Sequence, residues 1–299
     1  MNKNLSSILL VLSLLPVAAC HKEESPVGRL EVQPPAIRLP HGQLAVVRFN
    51  WSPTAPLEGG PDKPMVFVHL LDAKGTVART FDHQLPQPWK EGTPVSYEVR
   101  LYQSALAPPL APGKYRLSVG LYDRGGKRWP LDGLGKPIAR DEYAAADVEV
   151  AANPEGPSFG YSPTWLPVEP GGDRQLLARR WLVDRGALRL QEVHGPGVVW
   201  MLLKIPAGDG PSEKLVLDAG ASAPAVKVTG TCGKVETEIS GPGNHEVEMP
   251  IDGPSAEGVC RVLLVPNFHL TSAAFPEQRT VSLDNLAWIP GAGARPNPA

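Results

Sequence analysis

The chain has 299 residues, 42% of them hydrophobic, and its 34 Pro and 30 Gly together exceed a fifth of the total. Dense β-branched and aromatic runs between those breakers set it apart from a disordered chain, and no segment keeps helical periodicity for ten residues. The net charge is −2 with no basic block, which excludes nucleic acid and a polybasic membrane contact as expected partners.

The first element is a leader. Lys3 precedes an apolar run from Leu5 to Leu15, and Val17, Ala18 and Ala19 put small residues just before Cys20. This is the charged region, apolar region and cleavage site of a secretory signal, too short to cross about 30 Å of hydrocarbon as a helix. Val-Ala-Ala-Cys also resembles the lipobox of bacterial lipoproteins, which implies a signal peptide over residues 1–19 and Cys20 as the diacylated first residue. The alternative is an ordinary secreted protein cut after Ala19, with Cys20 incidental. Residues 20–28 then form a lipid-anchored tether, and at about 3.3 Å per extended residue its polar part holds the first domain within roughly 20–30 Å of the bilayer. His21 stands where an aspartate would resemble an inner-membrane retention signal, so the outer membrane is the expected site. The mature chain carries 28 basic and 31 acidic side chains, a net charge of −3, and its 280 residues suit two domains.

Residues 29–151 show seven runs of alternating apolar residues, at 29–32, 44–51, 65–71, 76–81, 95–101, 115–122 and 147–150. Period two with turn residues between predicts the strands of a β-sandwich. Asp72-Ala73-Lys74-Gly75 predicts a hairpin turn closed by a positive φ at Gly75. Pro112-Gly113 feeding Tyr115 at the start of a long strand looks like a tyrosine corner, with the hydroxyl bonded to backbone a few residues upstream; the alternative is a plain strand tyrosine. With residues 66–72 and Trp89 before Gly92, this stretch resembles the immunoglobulin-like sandwich appended to some bacterial envelope proteins and membrane glycosyltransferases. The resemblance covers most of residues 44–123 and implies a fold, not a task.

Residues 152–157 have linker composition. Gly156-Pro157-Ser158-Phe159-Gly160 matches the G-x-S-x-G pattern of hydrolase elbows, but Pro154 and Pro163 flank it and leave no helix to follow Ser158, so it is not expected to be a nucleophile. Residues 158–290 predict about eight strands, among them 187–191, 198–203, 214–217, 234–239, 245–251, 260–265 and 281–288, which suggests a jelly roll. An entry pattern of Trp165, Pro167 and Glu169, a late strand ending Met249-Pro250-Ile251, a segment from Phe268 to Phe275 and a last strand of L-D-N-L type are similar to the carbohydrate-binding-module-like jelly rolls of envelope and glycosyltransferase-associated proteins. In that group the last strand is chiefly structural, and the single carboxylate Asp284 implies no metal. Residues 291–299 are expected to be a disordered tail.

Cys232 and Cys260 are 28 residues apart in an exported chain, where disulfides persist. A bridge would stabilise by roughly 3–4 kcal/mol in the chain-entropy model; the alternative is two separate buried thiols. The seven histidines show no ligand spacing, and His69, in an apolar strand, reads as satisfied core. Trp51, Trp200 and Trp288 lie in apolar strands and read as core. Trp89 and Trp129 lie in loop sequence, where each is either an exposed platform for a sugar ring or, for Trp89, a plug for the end of the sandwich. The expectation is therefore an all-β, two-domain, lipid-anchored envelope protein without enzymatic activity, metal or cofactor. It is expected to bind a cell-surface or exported polysaccharide; the alternative is a scaffold that holds another envelope protein.

Overall fold

In the computed structural model, which describes residues 24–172, 176–233, 235–253 and 258–291, every regular element is a β-strand among the described residues. Cys20 lies outside them, as does the tail beyond Gly291.

The first half holds β1 (Gly28–Gln33), β2 (Ala36–Arg38), β3 (Leu44–Pro53), β4 (Met65–Leu71), β5 (Val77–Thr80), β6 (His83–Gln84), β7 (Val95–Tyr102), β8 (Gly113–Tyr122), β9 (Arg128–Trp129) and β10 (Tyr143–Val150). One sheet runs β1-β3-β7 and the other β2-β10-β8-β4-β5, with β6 on β4 and β9 on β8. All pairs are antiparallel except β2 with β10. This is an immunoglobulin-type sandwich, whose first strand is shared between the sheets. Alternation decides which side chains meet inside. On β3, Val47, Phe49 and Trp51 are at most 1% exposed while Arg48 between them faces water. Each such burial stabilises by about 1.5–3 kcal/mol. The turn after β4 closes as expected: Gly75 has φ 78°, and Asp72 Oδ1 accepts from the amides of Lys74 and Thr76, both at 2.8 Å.

The second half holds β11 (Ser158–Tyr161), β12 (Glu169–Pro170), β13 (Ala178–Trp181), β14 (Gly186–Gln191), β15 (Gly197–Ile205), β16 (Glu213–Leu217), β17 (Ala225–Gly230), β18 (Glu236–Ser240), β19 (Gly243–Ile251), β20 (Val259–Pro266), β21 (Phe268–Ser272), β22 (Phe275–Arg279) and β23 (Ser282–Pro290). The sheets run β11-β14-β20-β17-β18 and β12-β13-β23-β15-β19, with a small β16-β21-β22 sheet beside them. Successive strands β13, β14 and β15 alternate between the two main sheets, and β23 returns between β13 and β15. That order is a jelly roll, two Greek keys wrapped face to face. Its core includes Leu188, Leu190, Val226, Val228, Val262 and Leu264, each 0% exposed. A Cys232–Cys260 disulfide, with Cα atoms 5.4 Å apart, ties the segment after β17 to β20.

The two halves share a built joint. Strand β23 pairs with β13 only through Ser282 and Leu283, so the same edge further along would be open. The first domain fills it: Ala105 N donates to Leu286 O at 2.8 Å, Trp288 N to Gly42 O at 2.7 Å, and Leu286 N to Ser104 Oγ at 3.2 Å. Covering an edge in this way removes unpaired backbone groups that otherwise invite aggregation. Leu44, Trp200 and Ala287 are buried together there, and the Tyr102 and Trp200 rings lie 5.0 Å apart. Leu106 and Ala107, from the first half of the sequence, belong to the second core. Around the rim, Arg100 pairs with Glu246 and, at 2.6 Å, with Glu248. The linker is held as well: Arg38 pairs with Glu155, and Gln43 Nε2 donates to Glu155 O at 2.6 Å.

Candidate interaction surfaces

The two loop tryptophans are not sugar platforms. Trp89 is 8% exposed and Trp129 2%. Trp89 packs on Trp51 with ring centroids 5.9 Å apart, and its indole N–H donates to Ala55 O at 3.0 Å. Glycines make room for both rings. A Cβ on Gly28 would sit 2.8 Å from Trp89, and one on Gly60 would sit 2.6 Å from Trp129. Both rings therefore pack close against backbone and belong to the core of the first sandwich. The remaining five tryptophans, Trp51, Trp165, Trp181, Trp200 and Trp288, are also at most 8% exposed. Trp200 differs from the core position expected of it, because it packs in the joint between the domains.

Tyr115 donates its hydroxyl to Ala111 O at 2.9 Å, four residues upstream. Asp284 faces away from the core, and both of its oxygens are taken: Arg179 Nε and Nη2 donate to them at 2.7 Å each, and Ser282 Oγ donates at 2.7 Å. A buried carboxylate beside a half-buried guanidinium is tolerable in such an arrangement because the bidentate geometry satisfies both. Arg279 completes the neighbourhood, stacked 4.4 Å over Phe275 and paired with Glu169 at 2.7 Å. These contacts pin β12, β13, β22 and β23 together.

His69 is not in the core. It lies on the outer face of β4, stacked on Phe67 at 4.9 Å, with Asp82 Oδ1 3.4 Å from one ring nitrogen and Glu142 Oε1 3.8 Å from the other. An apolar strand gave no hint of this, because the acids come from segments 13 and 73 residues away in sequence. Ser118 Oγ donates to Glu142 at 2.6 Å, not to the imidazole, so no hydroxyl–imidazole pair of the kind that activates a nucleophile is assembled here. Ser158 begins strand β11 and is exposed.

The surfaces left open are aliphatic and mixed in charge. The large hydrophobic residues exposed among the described ones are Val46, Ile138, Val168, Leu263 and Val265. Val46 and Ile138 line an open groove of about 2070 Å³ that curves around the β2 edge of the first domain and reaches Ile289 and Pro290 of the second. Its charges alternate in sign: Arg48 pairs with Glu98 at 2.9 Å, Arg38 with Glu149 at 2.5 Å, and Lys114 and Arg116 stand opposite Glu149 and Asp147 across β8 and β10. The β2 edge itself is short and bracketed by Pro34, Pro35 and Pro40, which blunts it as a template for strand addition. Recognition in the groove falls to side chains.

No family model matches the chain, and no curated protein matches it. Among solved structures it is similar to bacterial alpha-2-macroglobulins. The native conformation from E. coli is 12% identical with a TM-score of 0.23, over 88% of this chain and 14% of that one. A Salmonella alpha-2-macroglobulin mutant is 12% identical with a TM-score of 0.23, over 94% and 16%. The chain thus spans 14–16% of the length of these proteins, and likenesses this weak carry no argument about its task.

Proposed function

We propose that this chain is a membrane-tethered envelope protein that binds another protein, with the groove around β2 as its contact surface. The observation that carries the reading is the burial of all seven tryptophans, with only aliphatic side chains among the large exposed hydrophobics of the described residues. Sugar rings are held by stacking on exposed aromatic faces, whereas protein contacts need apolar side chains within a rim of mixed charge. The groove supplies the second arrangement. The interlocked joint adds support, because a body whose halves do not swing presents such a surface in one fixed geometry and loses little entropy on binding. The leader sequence supplies the tether.

The test is position-specific photocrosslinking in intact cells, with the probe at Val46 or Ile138 and a control at Lys90. A discrete adduct from the groove positions and none from Lys90 supports the reading. In parallel, residues 21–299 are titrated with bacterial polysaccharides. Saturable glycan binding, with no groove adduct, overturns it in favour of a glycan ligand.

A further inference from the structure

The chain leaves the described fold at the groove around β2. Ile289 and Pro290, which end β23, line that groove. Where β23 meets the first domain the two segments run parallel, at Trp288 and Gln43, and Trp288 N donates to Gly42 O at 2.7 Å. From Gln43 the first domain continues into β3, through Val46 to Arg48, both of which line the groove. The chain beyond Pro290 is therefore launched along the groove, towards Val46 and Arg48. The other terminus leads elsewhere: β1 begins at Gly28, which register sets beside Pro53, at the far end of β3.

Eight residues follow Gly291: Ala292-Gly293-Ala294-Arg295-Pro296-Asn297-Pro298-Ala299. Extended, they reach roughly 25 Å, whereas Val46 lies no more than about 14 Å of chain from Gly42. Their chemistry suits the groove. The side chains are small and mostly apolar, as an open trough walled by Val46, Ile138 and Ile289 requires. Pro296 and Pro298 fix φ and lack an N–H, so a docked tail loses less entropy and asks for fewer backbone partners. Six acidic and four basic residues line the groove, an excess of negative charge, and the one charged side chain of the tail is the cation Arg295.

We propose that residues 292–299 fold back into the groove around β2 and occupy it until a partner displaces them. Occupancy follows from tail and groove alone; displacement by a partner rests on the reading of the groove as a protein-contact surface. A tail joined to the fold meets the groove at an effective concentration on the order of 1 mM, so an intrinsic dissociation constant of about 1 mM seats it in about half of the molecules. A partner then binds the full chain more weakly than the open groove, by the fraction of molecules left open.

Purified residues 21–299 with a photocrosslinker at Val46 or Ile138 test occupancy. The expected result is an internal crosslink to residues 292–299, found by mass spectrometry on monomeric chain and absent with the probe at Lys90. Arg295→Glu should lower its yield severalfold, and the same probes on a chain ending at Gly291 should label a synthetic peptide of residues 292–299 at millimolar concentration. No tail crosslink, an equal yield from Lys90, or tail crosslinks confined to covalent dimers overturns the proposal. In cells, deleting residues 292–299 is expected to raise the partner adduct from Val46 by roughly two- to tenfold. An unchanged partner adduct overturns the tail's control of the groove while the protein-contact reading stands. A tail crosslink in the purified chain with no partner adduct in cells, from the full or the shortened chain, overturns that reading and leaves the occupancy standing.

Discussion

Replacing Trp200 by Ala tests whether the joint is a cooperative element of its own. The ring is 2% exposed although it sits on the outer face of β15, because Leu44, Tyr102 and Ala287 cover it. Truncating a buried tryptophan costs about 3–5 kcal/mol. Here the loss falls on the contact between domains, since neither core cluster contains the residue. It translates into roughly a 10²–10⁴-fold rise in the fraction of molecules with the joint open. Native-state hydrogen exchange reads this directly: the amides of Ala105, Leu286 and Trp288 cross the joint, whereas those of Leu117 and Val262 sit inside the separate sandwiches. Protection should fall by that factor at the first group and stay within a few-fold at the second. Equal loss at both groups, or no loss at the joint amides, would refute the assignment of Trp200 to an independently opening interface.

Three further outcomes follow from particular contacts. Replacing Cys232 and Cys260 together by Ser should cost roughly 3–4 kcal/mol, read as a lower denaturant midpoint for the jelly roll with the first domain's transition unchanged. Tyr115→Phe removes the bond to Ala111 O and should lower stability by about 1 kcal/mol in urea unfolding. His83 makes stability depend on pH. The Phe81 carbonyl can only accept, so Nδ1 donates to it at 2.9 Å and neutral Nε2 accepts from the Tyr97 hydroxyl at 2.7 Å. Burial lowers the His83 pKa from its ordinary 6.5, so the unfolded chain takes up the proton first, and this contribution is present above pH 6.5 and lost as pH falls below it. Urea midpoints measured from pH 7.5 to 5 should decline more steeply for the parent than for His83→Asn, and parallel slopes would count against the arrangement.

The strands were largely legible because alternation is a local property. Residues 65–71 were expected as a strand and form one with the same bounds, and the long runs at 44–51 and 115–122 lengthen by only two residues each. Short elements were not legible: β2 has three residues and β13 four, too few for a period to show, and β13 carries the Arg179 that holds Asp284. The tryptophans show the harder limit. Loop sequence around Trp89 and Trp129 says nothing about whether another backbone segment covers them, although glycines at 28 and 60, remote in sequence, are the positions that let it.

By itself, then, the order of residues determined that the chain is all-β and where its longer strands run, because alternation depends on neighbours a few positions apart. Only the tertiary structure decided which surfaces remain open. Leu106 enters the second core, Gly42 and Ser104 complete the β23 edge, and His69 meets two acids, all through contacts between segments far apart in sequence. Burial of a tryptophan or exposure of Leu263 depends on what the rest of the fold sets against it, and no local pattern carries that information.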